Sequence, residues 1–321
     1  MASQLLISTG RRLFRSFESW ADFFAIQNAV FGVDADSRLF VQGSLAFTGN
    51  LNLYMGQLAA GGTLIAEDVF LPGKWEQVMA RERANGIYLI PSKLLMLPRV
   101  FKGVNANIRT IISGSQSLGR KDAEVLKKIF PNTEITLYYG ASELNYITYV
   151  KSADMTEERN LIGKPFPGVR VFIQDDEMYV DNAFHVENIT VPYSLKDSGR
   201  MDLQGNFYFL GRTDDIVGVR GRKVSMMKIE NALEEVAGIT EAAVVLLPKE
   251  KDADMPAEIV SAFVTVEGTD VPENLRQQLK EKLADFEIPK RVIVLEAFPK
   301  NTSGKVDKAR LKKMWIEQEP Q

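Results

Sequence analysis

Three short stretches of this chain hold the residue types from which nucleotide chemistry is assembled. In residues 138–143 the sequence YYGASE sets Tyr139, Gly140, Ser142 and Glu143 in one loop after an apolar run. An aromatic ring suits the flat face of a base, a hydroxyl suits a phosphate, and a carboxylate is a hard oxygen ligand for Mg²⁺. Residues 211–230, GRTDDIVGVRGRKVSMMKIE, open on Gly211, Arg212 and Asp214 and gather Arg220, Arg222 and Lys223 around Gly221. Taken alone this stretch reads equally as a surface hairpin with a solvated basic face. Residues 299–305, PKNTSGK, end on Lys305 directly after Gly304. A lysine so placed can be swung onto a developing negative charge. Near the start, apolar residues 5–7 run into Ser8, Thr9 and Gly10 and then Arg11 and Arg12. Such a loop can wrap a phosphate with its backbone N–H groups, although the same tripeptide also makes plain turns.

The elements that must hold these loops follow from periodicity. Helical spacing covers 20–33, 51–58, 75–84 and 121–130, and Pro91 opens a further helix. Strand-like runs cover 38–42, 63–66, 86–90, 108–112 and 134–138. Strands alternating with helices predict an α/β domain with a largely parallel sheet. After Lys164 the texture changes to short β-like runs at 169–173, 177–180, 186–191 and 206–210, which predict a small antiparallel sheet or barrel-like part. Beyond the 211–230 stretch, a helix over 228–236, strands at 242–247, 259–266 and 292–295, a helix from Pro272 and a basic last helix predict a small α+β unit. The expected division is therefore a larger domain over 1–213, with an α/β part to 163 and a β-rich part from 164. A smaller α+β domain over 214–321 follows, joined by a polar, glycine-bearing connection.

Composition narrows the function classes. The chain has 321 residues, 45% hydrophobic and 25% charged, with a net charge of −3. That balance is ordinary for a globular protein and argues against a nucleic-acid partner. No cysteine is present, which removes disulfides, thiol catalysis and cysteine metal sites, and the single histidine, His185, removes a histidine-rich one. The apolar run before Arg11 is too short for a secretory signal, and no run reaches a membrane span, so the expected place is cytoplasmic.

Read together, the motifs resemble the ANL superfamily of adenylate-forming enzymes: acyl-CoA synthetases, peptide-synthetase adenylation domains and luciferases. YYGASE is similar to that family's Y-G-x-T-E motif, with Ser142 for threonine. Residues 211–230 are similar to its hinge motif, and PKNTSGK to its P-K-x-x-x-G-K motif. Between them, Leu195, Lys196 and Asp197 stand where the family has T-G-D, and Asp202, Gly205, Gly211 and Arg212 follow at family spacing. Gly163, Lys164, Pro165, Pro167 and Gly168 match its G-x-P…P-G segment. Residues 113–118, SGSQSL, resemble the glycine-containing loop beside adenine, which brings in Gly114, Ser115 and Gln116.

The resemblance implies roles. Ser8, Thr9 and Gly10 would be the phosphate loop. Tyr139 would stack on adenine next to Gly140, Ser142 would touch phosphate and Glu143 would bind Mg²⁺. Asp197 and Arg212 would hold the ribose, Asp214 would be the hinge, and Lys305 would steady the transition state of adenylation. Gly221 and its basic neighbours would face the CoA side. The implied activity is an ATP-dependent carboxylic acid:CoA ligase, with ATP, Mg²⁺ and coenzyme A as cofactors and an acyl or aryl acid as substrate. Thr48 stands where amino-acid-activating members carry aspartate, and the pocket segments 47–50 and 113–117 are uncharged. Two alternatives are loading of a carrier-protein phosphopantetheine and a non-catalytic nucleotide-binding homologue. The departures are Arg12 and Leu13 in place of Pro-Lys, Gly218 in place of a lysine and Lys228 in place of a glutamate. The resemblance also begins at the phosphate loop and leaves the family's first subdomain unmatched, so either a compact member or a second polypeptide is expected.

Overall fold

The computed structural model describes residues 3–8, 11–45, 47–213, 216–219, 221–249, 258–300 and 306–317, with the backbone alone for 3–8, 11 and 12. Thr9, Gly10, Asp214, Arg220 and Lys305 lie outside the described residues, as does the side chain of Ser8. By contact the chain forms two compact units. One comprises residues 1–195 with 199–209, the other 196–198 with 210–321.

In the first unit, β1 (Ser3–Ser8) and β2 (Arg11–Ser16) pair antiparallel with Ser8 opposite Arg11. The return strand β2 escapes a hydropathy reading because RRLFRS carries three arginines. Its period of two is nonetheless visible in burial: Leu13 and Arg15 are enclosed while Phe14 between them is exposed.

The α/β alternation appears as expected. Strands β3 (Arg38–Gln42), β4 (Thr63–Glu67), β5 (Gly86–Tyr88), β6 (Thr110–Gly114) and β7 (Glu134–Ala141) run parallel. Between them lie α2 (Thr48–Ala59), α3 (Pro72–Arg81), α4 (Pro91–Leu94), α5 (Leu97–Val100) and α6 (Arg120–Ile129), and α1 (Glu18–Phe31) precedes them. Burial on both sheet faces explains the near-continuous apolar runs of β3, β5 and β6. Trp75, Met79, Leu97 and Leu126 from α3, α5 and α6 close one apolar core, and Phe23, Phe31 and Leu53 from α1 and α2 close another.

The sheet then continues antiparallel. β8 (Asn145–Lys151), β9 (Leu161–Pro165), β10 (Arg170–Gln174), β11 (Glu177–Asp181), β12 (Tyr193–Met201) and β13 (Phe207–Arg212) extend it to eleven strands among the described residues, in the order β10-β11-β12-β13-β9-β8-β7-β6-β5-β3-β4. The β-rich part thus shares one hydrogen-bonded sheet with the parallel strands, joined through β8 and β9. The strand expected at 186–191 does not form. Val186 is fully buried, and Ile189 and Val191 pack on the α1–α2 core. Their hydrophobicity therefore serves loop packing. Pro192, which has no N–H for a ladder, stands just before β12 begins.

The second unit holds a hairpin of β14 (Ile216–Val219) and β15 (Arg222–Ser225), then α7 (Met226–Glu234). A sheet of β16 (Ile239–Pro248), β17 (Glu258–Val266) and β18 (Arg291–Val294) follows, with α8 (Leu275–Lys280) and α9 (Lys308–Glu317). Three strands and three helices were expected there, and the hairpin adds to them. Asp307 caps α9 by accepting from Arg310 N–H at 3.0 Å. Ser225 begins α7: its Oγ accepts from Lys228 N–H at 3.3 Å and donates to the Leu210 carbonyl at 2.6 Å. Losing an N-cap costs about 1 kcal/mol. Ser225→Ala is therefore expected to lower the unfolding free energy of this unit by that amount in urea denaturation, and an unchanged value would show that the cap is idle.

Candidate active site

Ligands of open α/β sheets bind beyond the carboxyl ends of the strands. Here β6 and β7 end side by side, with Gly114 opposite Tyr138 in the register. A Cβ on Gly114 would come within 2.5 Å of the Tyr138 ring, so only glycine lets the two strand ends approach this closely. Ser115 follows with φ of 70°, and the Gln116 side-chain oxygen accepts from Ser92 N–H at 2.9 Å. Tyr139 is half-buried, its ring 5.9 Å from that of Phe209. A Cβ on Gly140 would meet the Asn145 carbonyl at 2.7 Å. Gly114, Ser115, Gln116, Tyr139 and Gly140 thus share two adjacent strand ends.

Beneath these loops Tyr138 and Tyr88 join hydroxyls at 2.7 Å. Burial raises the pKa of Tyr138 to about 12 and that of Tyr88 well above its ordinary value, and Tyr146 is pushed the same way by burial. These rings stay neutral and act in packing. Folding therefore favours their neutral form relative to an unfolded tyrosine near pKa 10. That contribution is fully present below about pH 10 and is lost as pH rises through the folded values. Urea midpoints should hold steady from neutral pH and then fall on the alkaline side; a midpoint flat through that region would contradict the assignment.

The loop after β7 is held by partners from afar. Thr48 Oγ1, at the start of α2, lies 2.9 Å from Ser142 Oγ. Arg15 on β2 is fully enclosed, and donates to the carbonyl oxygens of Phe184 at 2.7 Å and Ser142 at 3.1 Å. Its Nε has no hydrogen-bond partner, and its guanidinium lies 5.7 Å from the Trp20 ring centroid. Burial lowers the Arg15 pKa to about 10, and the charge of Glu143 opposes that shift. Arg15 stays protonated at neutral pH. Sequence reasoning did not single out Arg15; the available signal was the alternation that sets it on the same face as Leu13. Glu143 is half-buried, and its carbonyl accepts from Val186 N–H at 2.9 Å.

One carboxylate beside two hydroxyls suits a hard cation that takes its other ligands from phosphate and water. No group of three or more His, Cys, Asp or Glu is placed to hold a metal among the described residues. A single carboxylate at Glu143 would leave most of the shell of such a cation to phosphate and water.

In the second unit Asp197 is buried, and its Oδ1 lies 3.4 Å from Nε of the mostly exposed Arg212. Two of the expected ribose residues are thus brought together. Gly211 takes φ of 124°, and a Cβ there would lie 3.3 Å from Ser225 Oγ. Gly221 has φ of 79° beside the paired Val219 and Arg222. Arg222 lies over the Phe286 ring at 4.7 Å. Lys228, noted as a departure, pairs with buried Glu287 at 2.6 Å; Glu287 also accepts from Ala284 N–H at 2.9 Å. The substituted lysine thus fastens α7 to the 284–287 turn. His185 shares a 2.7 Å hydrogen bond with the Val186 carbonyl.

The chain thus combines a mixed-sheet α/β unit, with glycine- and hydroxyl-bearing loops at its strand ends, and a small α+β unit. The profile of the family described as AMP-binding enzyme matches residues 9–183, more than half of the chain, and that of its C-terminal domain matches 228–305. The chain belongs to this AMP-binding family, the ANL superfamily of adenylate-forming proteins. It is 26% identical to the uncharacterized acyl-CoA ligase YhfT of Bacillus subtilis over 96% of its own length and 66% of that protein's. It is also 25% identical to CymA of Salinispora arenicola, a probable non-canonical nonribosomal peptide synthetase, over 87% of this chain and 4% of that one. The fold matches the amide bond synthetase McbA of Marinactinospora thermotolerans with a TM-score of 0.84 at 22% identity, covering 97% of this chain and 68% of that one. The chain thus spans just under two thirds of YhfT and a far smaller share of the peptide synthetase. Among the described residues no helix is long and apolar enough to cross a membrane.

Proposed function

We propose that this chain activates an acyl or aryl carboxylic acid as its adenylate and passes the acyl group to the thiol of coenzyme A. The observation that carries this reading is the loop of Tyr139, Ser142 and Glu143, fixed by Arg15 and Thr48. The likeness to an acyl-CoA ligase supports it. In the first step a carboxylate oxygen bonds to the α-phosphorus of ATP and the bond to pyrophosphate breaks. In the second a thiolate attacks the acyl carbon and AMP leaves. The thiol comes from a partner, since the chain has no cysteine.

Tyr139 stacks on adenine beside Gly114, Ser115, Gln116 and Gly140, and Ser142 donates to phosphate. Asp197 accepts from the ribose hydroxyls and Arg212 steadies that carboxylate. Ser8, Thr9 and Gly10 wrap phosphate. Mg²⁺, when bound at Glu143, supplies positive charge to the phosphoryl oxygens. Lys305 adds its charge during adenylation. The domains 1–213 and 214–321 then rotate about Asp214, and the segment around Gly221 meets the thiol substrate. A cytoplasmic place suits the supply of ATP and CoA.

The likeness to a peptide synthetase favours a second reading, a carrier-protein phosphopantetheine as acceptor. The departures at Arg12 and Leu13 favour a third, a nucleotide-binding homologue without catalysis. Acid-dependent ATP–pyrophosphate exchange over a broad panel of carboxylic acids tests the proposal. Exchange with at least one acid is expected; its complete absence leaves the third reading. Offering CoA and a carrier protein to the preformed adenylate then separates the first two.

A further inference from the structure

We infer that the acid taken at this site carries a second carboxylate, and that Lys93 receives it. The inference rests on the ligase reading and names the substrate class within it.

Lys93 sits on α4, at the carboxyl edge of the parallel strands just after β5. It is half-buried. Its ammonium donates to the carbonyl oxygen of Gln42 at 3.3 Å and to the Gln42 side-chain oxygen. The Phe70 ring centroid is 5.9 Å away. All these neighbours are neutral. Glu67 lies opposite Gln42 in the β3–β4 register, yet among the described residues no carboxylate pairs with Lys93. Burial alone lowers its pKa. A cation withdrawn from water without an anion is costly, and proteins keep such groups where a ligand completes them.

The surroundings tie Lys93 to the reacting end. Its neighbour Ser92 gives its N–H to Gln116, in the loop after Gly114. Gln42 leads into Gly43, packed so tightly on Asn50 that a Cβ there would lie 2.4 Å from Nδ2. Asn50 and Thr48 share the first turn of α2, and Thr48 reaches Ser142. Segment 47–50, which touches Ser142 through Thr48, and segment 113–117, which touches the residue before Lys93 through Gln116, carry no charge. An acid whose reacting carboxylate lies by Ser142 would meet uncharged segments along its length and an ammonium at the far end. A terminal carboxylate suits that arrangement; a methyl group leaves the half-buried lysine without an anion.

The test is ATP–pyrophosphate exchange with pairs of acids matched in length, one ending in carboxylate and one in methyl. The dicarboxylate is expected to be preferred by about tenfold to a hundredfold, the range for a hydrogen bond to a charged group. Lys93→Met should remove that preference through KM for the dicarboxylate while leaving the methyl-ended acid within about twofold. Lys93→Arg should retain the preference, and Lys93→Gln serves if the methionine variant melts early. Methyl-ended acids used as well as dicarboxylates would overturn the assignment, as would equal losses for both acids in the variants. If no acid supports exchange, the ligase reading fails by itself. Calorimetric titration of the dicarboxylates then decides on Lys93: binding that Lys93→Met abolishes supports the site, and absent or unchanged binding overturns it.

Discussion

Gly163→Ala is expected to destabilise the first unit by about 3–5 kcal/mol, enough to unfold a marginal domain. Gly163 is buried in β9 with φ of 78°, a left-handed conformation that an L side chain adopts only under strain. A Cβ there would stand 2.0 Å from the Tyr149 carbonyl oxygen and 2.5 Å from its carbon. Those atoms belong to β8, paired to β9 at Tyr149 and Lys164, so the obstacle is a strand backbone and not a side chain that can swing away. Relief requires parting β8 from β9, the junction through which the antiparallel half joins the parallel half. Urea denaturation checks it, with Gly218→Ala as contrast, because a Cβ at Gly218 meets nothing within 4 Å. A Gly163→Ala unfolding free energy within about 0.5 kcal/mol of the parent, the range of ordinary surface changes, would mean that the clash is absent in solution.

Arg15→Met is expected to raise KM for ATP by about tenfold to a hundredfold, the usual consequence of removing a group that orients a ligand-bearing loop. Two effects run the same way. The carbonyls of Phe184 and Ser142 lose a charged donor, worth roughly 1.5–3 kcal/mol per hydrogen bond before the relief of burying the cation is set against it. The site also loses a positive charge beside Glu143, where the triphosphate would lie. KM for the acid should move far less, because in the proposed reading the Ser142 loop that Arg15 holds faces the phosphates. Arg15→Lys keeps the charge but not the fork that serves two carbonyls, and should recover only part of the loss. Equal changes in both KM values, tracking a lower melting temperature, would reduce Arg15 to a packing residue.

The parallel core was legible because burial on both faces leaves a signal that needs no partner. Residues 38–42 read as a strand, and β3 spans Arg38–Gln42. The antiparallel junction was not. β8, NYITYVK, and β9, LIGKP, are short and interrupted by polar residues that the neighbouring strands cover. Residues 186–191 failed the other way, since apolar side chains in a buried loop look like a strand until their contacts are known. In the candidate site, residue types were legible and partnerships were not. Thr48 and Ser142 are 94 positions apart, and Arg15 reaches its carbonyls 127 and 169 positions away. An arginine in a strand reads as solvent-facing, and a lysine two residues after a proline reads as the outside of a helix. Only the fold reveals that Arg15 is enclosed and Lys93 half-buried.

The hydroxyl pair of Tyr88 and Tyr138 beneath the ends of β5 and β7 gives the protein an internal optical clock. Both phenols lie enclosed between strand ends and cannot lose their protons in place until far into alkaline solution. On a rapid jump to high pH, the tyrosinate band of any ring nearer the surface should rise within the mixing time. A slower rise then follows as the enclosed rings reach solvent. The delay times the opening of the strand ends from absorbance alone, and a bound nucleotide that bridges those ends should lengthen it.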